Sequence, residues 1–268
     1  MSKELNTGQI IAQKKSSIRK LNNLLEGYIG SSDVDIQKKA YLISSWLQQF
    51  VSFVSFEEQF DPTKNISYKR GNIVKINFGF NVGCELGGPH YAIVLDKQNK
   101  HSADMVTVIP LVSAKENKGV YERDLFLGNE LYNTLSSKYD SAMQECIARI
   151  EELRKMNEMS KQLLEVLKQL PDKEKAEQKI IEIEQIQKDF NKNNIEVQKS
   201  LDRCKELKKE ISLMKEGSIA RIEQITSVSK IRIWIPKKTS DVLYNISFSE
   251  NTMKRINNKI KELYIFDE

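Results

Sequence analysis

The chain has little of what metal, disulfide and membrane proteins need. Its three cysteines, Cys84, Cys146 and Cys204, are an odd number without metal-ligand spacing, so neither zinc nor a disulfide framework is expected. Reduced thiols fit the cytosol. Only two histidines occur, which excludes a histidine-rich metal site. A magnesium site built of carboxylates stays open, but no Asp/Glu cluster announces one, and no cofactor is expected. No apolar run approaches the roughly 20 residues that cross a bilayer. The opening MSKELNTGQ lacks the apolar core of a secretion signal. No membrane partner and a cytoplasmic location are therefore expected.

What is present is charge. Of 268 residues, 40% are apolar and 29% charged, a globular balance tilted towards long solvated helices. Residues 129–216 hold seventeen Lys/Arg against eighteen Asp/Glu, so the net +5 resides elsewhere. A basic body beside a neutral arm suits a polyanionic partner, although a modest positive charge is common.

Helical spacing predicts helices over 5–28 and 34–57, the second through Ile36, Ala40, Ile43, Trp46, Leu47, Phe50, Val51 and Val54. Ser31, Ser32 and Asp33 are its candidate caps. Asp61–Asn65 reads as a linker. From Tyr68 the pattern changes to strands: Ile73–Phe78, Tyr91–Leu95, Met105–Leu111, Tyr121–Leu127, Ser218–Ile225 and Lys230–Ile235, then a closing helix near Ser249–Tyr264. Several short strands in a small space suggest a barrel. Between them lies a long helical interruption, with arms near 130–170 and 173–215 and a tip at Leu170-Pro171-Asp172. Its expected seam runs through Met156, Met159, Leu163, Val166 and Leu170, then Ala176, Ile180, Ile183, Phe190, Val197, Leu201, Cys204 and Ile211. Gln187, Asn194 and Lys208 interrupt it. The expected domains are 1–66, helical; 67–128 with 217–268, one discontinuous barrel; and 129–216, an inserted coiled-coil hairpin.

Two segments carry chemistry. In Arg70–Leu95, two strand-like runs flank a polar, glycine-rich connection holding Cys84, Glu85, Gly87, Gly88 and His90. In Ile219–Ile225, period-two alternation puts Arg221 and Glu223 on one side of a strand. Histidine, carboxylates, serine and arginine on a basic surface suggest RNA-cleaving acid–base chemistry.

The segments YKRGNIVKINFGFNVGCELGGPHYAIVL, VTVIPLVSAK and SIARIEQITSVSK, in this order, resemble the MazF/PemK family of toxin endoribonucleases. The resemblance covers about 110 residues, split by the helical insertion. It implies an α+β fold with a small SH3-like barrel that dimerises. It also implies metal-independent cleavage of single-stranded RNA through 2′-hydroxyl attack, leaving a 2′,3′-cyclic phosphate and a 5′-hydroxyl, in a bacterial toxin–antitoxin or phage-defence system. Implied partners are single-stranded RNA, a cognate antitoxin and a second copy of the chain.

The resemblance places Arg221 and Glu223 at catalytic positions, with glutamate where aspartate is more typical. By residue type alone the pair reads as an ordinary cross-strand ion pair on a barrel surface. His90 stands where the family's Gly-Gly-x-Arg-Pro motif has arginine. It either keeps acid–base work while losing permanent charge or marks a silenced site. Glu85 matches an acidic loop position, and Gly87 and Gly88 allow backbone to approach phosphate. Ser113 is the remaining hydroxyl where Val112 replaces another, and it could bind a phosphate oxygen or end a strand. The alternative function is a non-catalytic RNA- or protein-binding barrel tethered by its coiled coil.

Overall fold

The computed structural model describes residues 6–115, 119–169, 173–215 and 217–265. Helices α1 (Thr7–Ile29) and α2 (Val34–Phe56) open the chain. Asn6 and Asp33 cap them, each side chain accepting a hydrogen bond from a first-turn amide. Of the expected apolar face of α2, Ala40 is buried, whereas Phe50, Val51 and Val54 are exposed. The helix rests instead on the sheet rim through Trp46, packed against Gly79. A Cβ there would lie 2.8 Å from the indole, and φ is +85°.

Strands β1 (Tyr68–Lys69) and β4 (Gln98–Asn99) form a small antiparallel pair. The main antiparallel sheet contains β2 (Ile73–Asn77), β3 (Pro89–Val94), β5 (Met105–Ser113), β6 (Leu125–Gly128), β7 (Ser218–Ala220), β8 (Thr226–Ser229) and β9 (Ile233–Ile235). Its order is β6-β7-β5-β3-β2-β9, with β8 also on β5. Among the described residues β6 and β9 do not pair, so the sheet is an open path rather than a closed ring. Helix α5 (Glu250–Tyr264) closes the chain, capped by Ser249.

Alternation gives the sheet two apolar faces. Ile73, Ile93, Ile109 and Leu111 pack with α5 and with Leu131, Leu135 and Leu207 from the arm base. Val74, Ile76, Ala92, Val94, Val106 and Val108 form the second cluster with Tyr68 and Ile233.

The interruption is an antiparallel helical hairpin, α3 (Glu130–Gln169) and α4 (Lys173–Leu213). The expected tip lies outside the described residues. The seam departs from expectation by one residue at several places. On α3, Ala142, Cys146, Arg149, Leu153, Met156, Ser160, Leu163 and Leu167 face inward, while Met159 and Val166 are exposed. On α4 the row is Ile183, Ile186, Phe190, Asn193, Val197, Ser200, Cys204, Leu207 and Ile211, and Ile180 is exposed. Both rows alternate three- and four-residue steps without a break, so Gln187, Asn194 and Lys208 do not interrupt them. The polar member Asn193 reaches across, its Nδ2 lying 3.5 Å from Met156 Sδ.

Candidate functional site

The site begins with a defect in the sheet. On one edge of β5, Ser218–Ala220 pair with Ser113–Leu111, and Thr226–Ser229 pair with Val108–Met105. The register slips by three residues between them, the length of the 3₁₀ turn Ile222–Gln224. Pro110 explains the slip. A residue's N–H and C=O leave an antiparallel strand on the same side, and Pro110 O accepts from Arg221 N at 3.0 Å. Its missing N–H therefore faces Arg221–Ile225, and the ladder cannot continue there. The expected strand through Ile225 is thus broken, because Ile219, Arg221 and Glu223 alternate like strand residues while Pro110 removes their partner. Arg221 and Glu223 still meet, Nη2 to Oε1 at 3.0 Å, across the turn rather than along a strand.

A second turn, Tyr121–Asp124, grips this pair. It was expected as strand, but β6 starts only at Leu125. Asp124 N donates to Tyr121 O at 2.9 Å, closing the turn. Asp124 Oδ2 lies 3.1 Å from Arg221 Nε, and Arg123 Nε lies 3.6 Å from Glu223 Oε2. The Tyr121 ring sits 5.8 Å from the Arg221 guanidinium, and Tyr264 lies 5.9 Å from that of Arg123. The Asp124 carboxylate is only 2% exposed. Burial pushes its pKa up, against the pull of Arg221. Among the described residues its Oδ1 has no hydrogen-bond partner, and the contact with Arg221 Nε has ion-pair rather than hydrogen-bond geometry. Tyr121, Arg123 and Asp124 were not foreseen. Their partners lie about 100 residues away, and an Arg-Asp dipeptide has no periodicity to betray it.

The glycine loop reaches the same place. Leu86 N donates to Gln224 Oε1 at 3.2 Å, tying the loop to the 3₁₀ turn. Gly88, at φ +84°, donates to Gly79 O, and a Cβ on Gly87 would lie 2.7 Å from that carbonyl. Glu85 is exposed at the loop tip, its carboxylate 3.4 Å from Val82 N.

His90, on β3, sits between two main-chain carbonyls, Nδ1 at 3.2 Å from Leu111 O and Nε2 at 3.1 Å from Gly87 O. Burial lowers its pKa, outweighing the two carbonyls, which favour the imidazolium. A neutral ring can donate to only one of them. The neutral imidazole therefore bonds either the glycine loop or β5, and its other nitrogen faces a carbonyl with no proton between them.

Two hollows flank the Arg221–Glu223 pair. One, of about 840 Å³, is lined by His90, Ser113, Lys115, Tyr121, Asp124 and Arg221. The other, of about 370 Å³, is lined by Asn81, Glu85, Glu223, Gln224, Thr226 and Arg232. Arg221, His90 and Ser113 thus share one wall system, whereas Glu223 and Glu85 face the next. The Arg221–Glu223 ion pair joins the two. Among the described residues, no three His, Cys, Asp or Glu side chains group as a metal site, and no helix is long and apolar enough to cross a membrane.

A search of curated protein sequences returned no match. Residues 69–182 match the family model described as "PemK-like, MazF-like toxin of type II toxin-antitoxin system". The matched stretch runs from β1 through α3 into α4, taking in the glycine loop, His90, Ser113 and the Tyr121–Asp124 turn, and stops before Arg221. Over that stretch the chain is similar to the PemK/MazF toxin family.

Proposed function

We propose that this protein is the toxin endoribonuclease of a bacterial toxin–antitoxin or phage-defence system, cutting single-stranded RNA without a metal ion. The observation that carries the reading is the Arg221–Glu223 pair, held at 3.0 Å between two hollows in a chain with a PemK/MazF-like domain. Glu223 takes the proton of the 2′-hydroxyl, whose oxygen bonds to phosphorus as the bond to the 5′ oxygen breaks. Arg221 offers its remaining N–H groups to the charge gathering on the phosphoryl oxygens. His90, as imidazolium, supplies the proton to the leaving 5′ oxygen, swinging away from one carbonyl to do so. Ser113 and the loop residues Glu85, Gly87 and Gly88 position the RNA, with Lys115 and Lys215 beside the larger hollow. The products are a 2′,3′-cyclic phosphate and a 5′-hydroxyl. The strands of 67–128 and 217–268 act as one SH3-like unit in a cytoplasmic homodimer, and the hairpin is a coiled-coil arm for the antitoxin or another partner.

The test is incubation of purified protein with RNA in EDTA, followed by end analysis. Cyclic-phosphate ends from the wild type and none from Arg221→Ala are expected. Full cleavage by Arg221→Ala refutes the site. A second reading, RNA binding without cleavage, draws on one observation: both His90 nitrogens face main-chain carbonyls rather than open solvent. It requires salt-sensitive RNA binding with no product.

A further inference from the structure

Arg221 is the cation at the centre of the proposed site, yet it is already neutralised twice. Asp124 holds its Nε edge at 3.1 Å and Glu223 holds Nη2 at 3.0 Å. One arginine between two carboxylates is a net negative group. A phosphodiester arriving there meets repulsion from the carboxylates as well as attraction from the fork, and the transition state adds further negative charge. A second cation is needed on the Glu223 side.

Arg123 stands there. Its Nε lies 3.6 Å from Glu223 Oε2, a loose contact for an ion pair, and its side chain is 54% exposed, against 20% for Arg221. The guanidinium is steadied by the Tyr264 ring at 5.9 Å, which leaves its donors towards solvent unclaimed among the described residues. The backbone beneath it is fixed by the Tyr121–Asp124 turn and by the neighbouring Asp124, clamped on Arg221. Consecutive residues of one turn thus hold opposite members of the pair: Asp124 orients the half-buried arginine, and Arg123 faces the carboxylate that must give up its ion pairs to act as a base.

We propose that Arg123 is a second phosphate-binding residue of this site, moving from Glu223 to the scissile phosphate as RNA enters. Its departure frees Glu223 Oε2 to accept the hydroxyl proton, and its charge balances the two carboxylates in the transition state. Asp124 acts through Arg221 and is a positioning residue. The inference rests on the proposed ribonuclease reading.

The experiment compares wild type, Arg221→Ala and Arg123→Ala on one RNA under single-turnover and steady-state conditions. Arg123→Ala is expected to lower kcat about 100-fold with KM changed less than about threefold, as for loss of a transition-state donor. Guanidinium ion, added below denaturing concentration, is expected to restore about tenfold of that loss. The thermal midpoint should stay at the wild-type value, because the side chain is exposed. Cleavage by Arg123→Ala within about threefold of wild type, while Arg221→Ala is inactive, overturns this inference and leaves the ribonuclease reading standing. A loss that guanidinium does not restore, with a lowered midpoint, overturns it in favour of bracing. A wild type that cuts no RNA removes the ribonuclease reading itself.

Discussion

Glu210, in the last turn of α4, accepts from Lys75 of β2 at 2.8 Å, and the two side chains are only 12% and 14% exposed. The Tyr91 hydroxyl donates to the same carboxylate, and Lys75 lies over the Tyr91 ring at 5.3 Å. The arm is therefore fastened to the sheet by charge as well as by Leu131, Leu135 and Leu207.

Removing one partner of that fastening strands the other. Glu210→Ala should destabilise the protein by about 3 kcal/mol, since it leaves a poorly solvated ammonium and phenol unpaired. Chemical denaturation measures it. A change below about 0.5 kcal/mol would mean that the pair opens freely to water.

The hairpin should be divisible. Excising 150–196 and joining the arms with a Gly-Ser turn leaves the buried base intact, so the unfolding midpoint should move by less than about 4 °C. Excising 130–213 removes three core leucines together with Glu210, and should yield no cooperative transition. If both deletions fold equally well, the arm base is no part of the core.

Asp124 sits in a place that disfavours ionisation. Its pKa is raised by burial, so its contribution to stability is complete below the usual carboxylate value and is lost as pH rises through the raised one. Asp124→Asn should therefore match or exceed wild-type stability near pH 7.5, by no more than about 1 kcal/mol. The difference should shrink on acidification. Cleavage should nevertheless fall, because an amide does not hold the Arg221 Nε edge by charge. Destabilisation by several kcal/mol at neutral pH would contradict this.

His90 has the opposite sign. Its pKa is lowered by burial, so the native state prefers the neutral ring, and the stability this brings is present above 6.5 and lost as pH falls through the folded value. Unfolding free energy should decline on acidification below about 6.5, and His90→Gln should flatten that slope. In the proposed mechanism the acid is the imidazolium, so cleavage should weaken about tenfold per pH unit above neutrality. A rate that rises through that range would assign the leaving-group proton elsewhere.

The features legible in the sequence were those written locally. Asp33 and Ser249 marked helix starts because a side chain near the first turn satisfies amides the helix cannot. Ile73–Asn77 read as a strand through its β-branched run. Arg221 and Glu223 were visible as a pair, and the PemK/MazF resemblance was carried by short segments. What escaped depended on distant partners. Pro110 decides the backbone at Ile222–Gln224 across the sheet, and no pattern within IARIEQI reveals it. Asp124 looked like one position of a strand because its role is set by Arg221. The α4 seam was misplaced at Ile186, Asn193 and Leu207 because polar residues beside them fit the same period equally well.

Strands β6 and β7 are hydrogen-bonded neighbours, Phe126 opposite Ile219 and Gly128 opposite Ser218. Everything from the end of one to the start of the other is, topologically, an overgrown hairpin loop. Such a graft can lengthen or shorten in whole heptads without disturbing either flanking strand, so the same sheet can carry arms of very different reach.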